Sequence, residues 1–126
     1  MTAAEGQNNQ ILGRFGEEKA ADCLISEGYR ILQRNFRCRQ GEIDIIAEKS
    51  GMIVFAEVKL RKNSSFGYAS EFVSASKQRR IRITAEYYLS LSGKTDCCSR
   101  FDVIEVYAPE GTAGNMTINH IEDAFM

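Results

Sequence analysis

Apolar and polar positions along the chain change period several times, and each change marks an element. A period near 3.6 runs from about Asn9 to Glu27, with Ala20, Ala21 and Leu24 on its apolar stripe. Gly28 follows as a C′ residue. Tyr29 to Phe36 then reads as a strand. From Gly41 to Arg61, two runs rich in β-branched and apolar residues flank Ser50-Gly51, a hairpin signal weaker than Asn-Gly. Helical periodicity returns from about Ser74 to Ser92 and stops at Gly93, with Ile81, Ala85, Tyr88 and Leu89 as its core stripe. Two more strands, Arg100 to Ala108 and Met116 to Ile121, finish the chain. Residues 1–8 are expected to be disordered, and Gly111 to Asn115 to form a loop. Lys62 to about Val73 is either a surface connection or a flap with stacking aromatics, Phe66 and Tyr68. The order is α-β-β-β-α-β-β. A helix between the third and fourth strands is a crossover, which predicts a parallel pairing there and a mixed sheet flanked by helices.

The Gly41 to Arg61 hairpin organises the rest. With a two-residue turn at Ser50-Gly51, Lys49 faces Met52, Asp44 faces Glu57 and Glu42 faces Lys59. Alternation then places these four charged residues on one face with Ile46, Ile53 and Phe55. A three-residue loop would shift the register and separate Asp44 from Glu57. Ile43, Ile45, Ala47, Val54, Ala56, Val58 and Leu60 are expected on the far face. Both faces therefore read as buried, as in a central pair of an α/β sheet. Opposed carboxylates lie about 5 Å apart at Cβ and repel. A divalent cation between them supplies the reason to place them together.

A chain of 126 residues with 44% hydrophobic and 26% charged content is one domain with a real core. No apolar run approaches the ~20 residues that span a bilayer, and Met1 to Gln10 lacks a signal-peptide core, so a cytoplasmic protein without a membrane partner is expected. Cys23, Cys38, Cys97 and Cys98 lack Cys-x-x-Cys spacing and have one histidine, His120, for company. Free thiols are expected, not a zinc site. The net charge of −1 hides a division. Arg30, Arg34, Arg37 and Arg39, then Lys59, Arg61, Lys62, Lys77, Arg79, Arg80 and Arg82, precede an acidic end with Asp102, Glu105, Glu110, Glu122 and Asp123. Basic side chains in the first turns of a helix oppose its dipole and suit phosphate.

Oxygen donors suit a hard cation, Mg²⁺ or Mn²⁺. Asp44 and Glu57 are the candidate ligands, with the Val58 backbone carbonyl in reach and Glu17 able to hold a metal-bound water. Glu17 lies on the core stripe of the first helix, where a carboxylate either has a partner or simply interacts with the helix dipole; the helix alone leaves both open. Lys59 can orient an attacking water or stabilise a pentavalent phosphorus as a cation.

Asp44, then twelve residues, then Glu57-Val58-Lys59, preceded by Glu17 on a helix, resembles the PD-(D/E)XK nuclease superfamily. Gly13-Arg14-Phe15-Gly16-Glu17, Gly41-Glu42-Ile43-Asp44, Val54-Phe55-Ala56-Glu57-Val58-Lys59, Lys77-Gln78-Arg79-Arg80 and Arg100-Phe101-Asp102-Val103 resemble blocks of the YraN-like bacterial family within it. Ile43 stands where the superfamily has proline. The resemblance implies a restriction-endonuclease-like fold similar to archaeal-type Holliday-junction resolvases. It also implies Mg²⁺- or Mn²⁺-dependent hydrolysis of DNA, branched or duplex, in recombination or repair. Glu17, Asp44, Glu57 and Lys59 are then the catalytic set, and Arg37, Arg39, Arg61, Lys62, Lys77, Arg79 and Arg80 the nucleic-acid contacts. Symmetric cutting of two strands would favour a homodimer. The alternative is a non-catalytic nucleic-acid-binding or recruitment module on the same fold.

Overall fold

The computed structural model describes residues 3–61, 73–109 and 114–126. Helix α1 (Ala3–Ser26) leads into strands β1 (Arg30–Cys38), β2 (Gly41–Lys49) and β3 (Met52–Arg61). Helix α2 (Ala75–Leu91) crosses over to β4 (Cys98–Tyr107), and β5 (Thr117–Phe125) ends the fold. The five strands form one mixed sheet in the order β1-β2-β3-β4-β5. The β3–β4 pair is parallel, as a helical crossover requires, and the other three pairs are antiparallel. The element order and the mixed sheet are those expected. Helix α1 begins at Ala3 instead of Asn9, and β5 runs on to Phe125. Lys62 and the segment carrying Phe66 and Tyr68 lie outside the described residues, as do residues 110–113.

The two helices cover opposite faces. Ala20, Ala21 and Leu24 of α1 pack on Ile45, Ala47, Val54, Ala56, Ile104 and Val106. Ile81, Ala85 and Tyr88 of α2 pack on Phe36, Ile43, Ile46, Ile53, Phe55 and Val103. Local chemistry sets the boundaries. Gly28 has φ 95, and the Tyr29 N–H reaches the Leu24 carbonyl at 2.9 Å, closing α1. Ser74 caps α2 by accepting the Lys77 N–H at 3.2 Å. Ser50 and Gly51 both take positive φ, 51 and 81, as a two-residue hairpin turn demands, so Lys49 pairs with Met52.

One expectation about the faces is corrected. Ile43 does not share a face with Ile45 and Ala47: it packs on the α2 side with Phe36. The cause sits one residue away. Arg34 pairs with Ile45, and Arg34 reaches Glu18 of α1 at 2.7 Å, whereas Phe36 pairs with Ile43 and packs under α2. Between these pairs lie Asn35, with φ 52, and Asp44. The left-handed Asn35 turns the strand over, which strict alternation does not anticipate.

Candidate active site

Strands β2 and β3 part company at this same point. Their paired register ends at Ile45 and Ala56. Beyond it β2 continues against β1 as far as Gly41–Cys38, and β3 continues against β4 as far as Arg61–Tyr107. Asp44 and Glu57, the next step of the hairpin register, face each other across the opening of this fork. The Asp44 carboxylate caps it: Oδ2 accepts the Val58 N–H at 2.8 Å. The N–H and C=O of one strand residue leave by the same edge, so the Val58 carbonyl is also directed into the fork.

The fork is reached from both faces of the sheet. Glu17 approaches from α1, close enough that burial and then the Asp44 charge raise its carboxyl above the usual range, while a hydrogen bond from Asn35 works the other way. Gly16 permits the approach, since a Cβ there would lie 3.2 Å from Leu60 Cδ1. From the other face α2 contributes Lys77, whose ammonium sits 2.7 Å from Glu57 Oε1 and near that of Lys59. A cavity of about 460 Å³ opens here, with Glu42, Asp44, Glu57, Ser74, Lys77 and Arg80 on its wall.

Burial is the main cause of the site's altered acidities. It raises Asp44, against the Val58 hydrogen bond, and it raises Glu57 together with the neighbouring Asp44 charge. Lys59 is lowered by burial and then by the adjacent Lys77. Lys77 goes the opposite way: burial disfavours its charge, but the hydrogen bond and charge of Glu57 outweigh that and raise it. The lysine in direct contact with Glu57 is Lys77. Lys59 also stands beside the acids, and its charge favours the ionised form of both.

One polar atom at the centre is left over. Glu57 is 6% exposed, and its Oε2 is buried with no hydrogen-bond partner among the described residues. An unsatisfied carboxylate oxygen is costly to bury and is a place for a ligand. With Asp44 across the fork and the Val58 carbonyl directed into it, the donors are all oxygens and fit a hard divalent ion.

The basic residues divide into groups. Arg37, Arg39 and Arg80 line a cavity of about 680 Å³ around Gly41 and Glu42. Gly41 allows this closeness, because a Cβ there would meet Thr84 Oγ1 at 3.0 Å and the Arg80 carbonyl at 3.5 Å. Arg37 is exposed and lies 3.3 Å from Glu42. Arg79 is exposed on α2 and does not line this cavity. Arg61 is turned to the buried Glu105, at 3.9 Å, whose other oxygen accepts from Asn119 at 3.1 Å.

Sequence reasoning missed Asn35, whose only signal was a residue tolerant of positive φ inside a β-rich run. It also missed a second polar cluster on the α1 face. There Asp102, fully buried, accepts two hydrogen bonds from Arg100 at 2.7 and 2.8 Å, one from the Asp123 N–H at 3.0 Å, and lies 2.7 Å from His120 Nε2. His120 Nδ1 meets Glu27, at the end of α1, at 2.9 Å. All four cysteines are free, and among the described residues no helix is long and apolar enough to cross a membrane.

Comparison with known proteins adds relatives to this geometry. Residues 16–106 match the model of the Uncharacterised protein family UPF0102. A UPF0102 protein of Caldicellulosiruptor saccharolyticus is 47% identical over 118 residues, covering 94% of this chain and 99% of the relative. One from Clostridioides difficile is 46% identical over 118 residues with the same coverage, 94% and 99%. Among solved structures, SfsA of Pyrococcus furiosus in complex with Ca²⁺ aligns with a TM-score of 0.38 and 14% identity, over 90% of this chain and 63% of that one.

Proposed function

The chain belongs to the uncharacterised protein family UPF0102, the YraN family, and from its fork site we propose that it is a Mg²⁺- or Mn²⁺-dependent DNA endonuclease of the PD-(D/E)XK type. The observation that carries this reading is the buried Glu57 Oε2, without a hydrogen-bond partner among the described residues, at the opening between β2 and β3 where Asp44 also stands. Asp44, Glu57 and the Val58 carbonyl would hold the ion, with Glu17 reaching it through water. A bound divalent ion lowers the pKa of a water and neutralises charge that develops on phosphate oxygens.

The protein's own groups complete the chemistry. Asp44, fixed through Oδ2 by the Val58 N–H, would offer its other oxygen to the ion. Lys59, half-buried on the face shared with Glu57, presents an amine to a phosphate entering from the α2 side. There its ammonium form would stabilise charge on the pentavalent phosphorus. Arg37, Arg39 and Arg80 on the rim, with the exposed Arg79 further along α2, would hold the DNA backbone, and Lys77 and Arg61 stand behind them. Branched or duplex DNA is the substrate class, and a homodimer would let two strands be cut symmetrically.

The test is cleavage of branched, duplex and single-stranded DNA with Mg²⁺ or Mn²⁺, using Glu57→Ala as control. Metal-dependent cutting that disappears in the variant supports the reading. Lys77 on Glu57 favours a second one, a non-catalytic nucleic-acid-binding module, because one oxygen of the acid already has a cation. DNA binding without cleavage, unchanged by divalent ions, would establish that alternative.

A further inference from the structure

Lys77 stands in an unusual position. Its ammonium is 2.7 Å from Glu57 Oε1, while Glu57 Oε2 on the same carboxylate has no partner among the described residues. Lys77 sits in the first turn of α2, where cations are disfavoured by the helix dipole, and it has a second amine, Lys59, as a neighbour. One like charge, Lys59, and the helix N-terminus oppose it. The attraction of the two acids outweighs them.

We propose that Lys77 is a displaceable internal counter-ion: it holds Glu57 in the absence of a divalent ion and is released when one enters. This rests on the metal reading of the fork. A divalent ion bound by Asp44 and Glu57 neutralises the charge that retains Lys77 and repels its ammonium. The side chain has somewhere to go, because it lines the open cavity that leads past Ser74 to Arg80. Released there, Lys77 joins the basic rim, and loading of the ion becomes coupled to binding of a phosphate backbone. The coupling is reciprocal: DNA favours the released lysine and thereby tightens binding of the ion.

The experiment is calorimetric Mn²⁺ titration, without DNA, of the wild-type chain, Lys77→Met, Arg30→Met and Asp44→Asn. Lys77→Met should bind Mn²⁺ roughly 10-fold more tightly than wild type, the scale of one charge-assisted hydrogen bond removed from competition. Arg30→Met, with the same change in net charge at an exposed position of β1 away from the fork, should bind as wild type. Equal or weaker Mn²⁺ affinity in Lys77→Met overturns the proposal and leaves the metal site intact. No Mn²⁺ binding in any folded chain, Asp44→Asn included, overturns the metal reading and this proposal with it. A measurement on the wild-type chain stands beside the variants, should Lys77→Met not fold. Reductive methylation of Lys77, read by mass spectrometry, should rise on adding Mn²⁺; labelling equal to that in chelator counts against release.

Discussion

Asp44 and Val58 are joined across the strand fork: the carboxylate takes the Val58 amide at 2.8 Å, where a continued ladder would have offered a backbone carbonyl. Asp44 thus has two separable roles, hydrogen-bond acceptor and charge. Asp44→Asn keeps an acceptor and removes a charge that raises both Glu57 and Glu17. In chelator it should melt at the wild-type temperature or slightly above. Asp44→Ala leaves the Val58 amide unmatched and should lose about 1–3 kcal/mol. Both should lose Mn²⁺ binding. Melting curves and calorimetry on the pair separate the roles; equal destabilisation by both variants would falsify this division.

Lys59 faces the site without directly holding Glu57, which Lys77 does. Lys59→Ala should leave Mn²⁺ affinity within a few-fold of wild type and lower single-turnover cleavage by ~10²–10³-fold. A parallel loss of Mn²⁺ affinity would instead make Lys59 part of the ion's support.

Arg39 and Arg80 share a rim, whereas Arg61 is engaged by buried Glu105. Replacing Arg39 and Arg80 together by Ala should weaken DNA binding and reduce its logarithmic salt slope by roughly 2, about one per phosphate contact. Arg61→Ala should chiefly lower the melting temperature, because Glu105 would keep a buried charge with less compensation. Fluorescence anisotropy across a salt series, with melting curves, distinguishes the two. A salt slope unchanged in the double variant would remove this rim from the DNA path.

His120 lies between Asp102 and Glu27, and the hydrogen bond to Asp102 raises its pKa, against burial, with Glu27 adding to it. A raised imidazole stabilises the fold fully below its unfolded value of about 6.5, and that contribution is lost as pH rises through the folded value. Asp102 is depressed by His120 and Arg100, against its burial, so its contribution is present above the unfolded carboxylate range of about 3.9 and lost below it. His120→Gln should therefore cost on the order of 2 kcal/mol near pH 6 and progressively less toward pH 9. Denaturant midpoints at the two pH values measure this, and a difference that stays constant would show a neutral imidazole.

The hairpin was legible because a two-residue turn and period-2 alternation fix register, and Ser50-Gly51 supplied the turn. Glu17 was legible only in part: the apolar helical stripe left open a partner or the helix dipole, and its nearness to Asp44 depends on how α1 lies on the sheet. The placement of Lys77 was not legible, since it depends on how α2 settles on β2, a matter of Gly41 meeting Thr84 and Arg80 where helix and sheet pack. Nor was the turnover of faces at Asn35 and Asp44, which moved Ile43 beneath α2: periodicity assumes the alternation that a left-handed residue interrupts. The cluster of Arg100, Asp102 and His120 joins residues from β4 and β5 that no local pattern connects.

The parallel pairing of β3 with β4 also sets an order in time. The hairpin bearing Asp44 and Glu57 closes between near neighbours such as Lys49 and Met52, an event of microseconds. Pairing Met52 with Cys98 must close a far longer loop through α2, and such distant contacts form late. A chain leaving the ribosome or refolding from denaturant therefore assembles its two acids before the lysine that balances them arrives. Through that interval the half-made fork rests on the locally closed pairs β1–β2 and β2–β3.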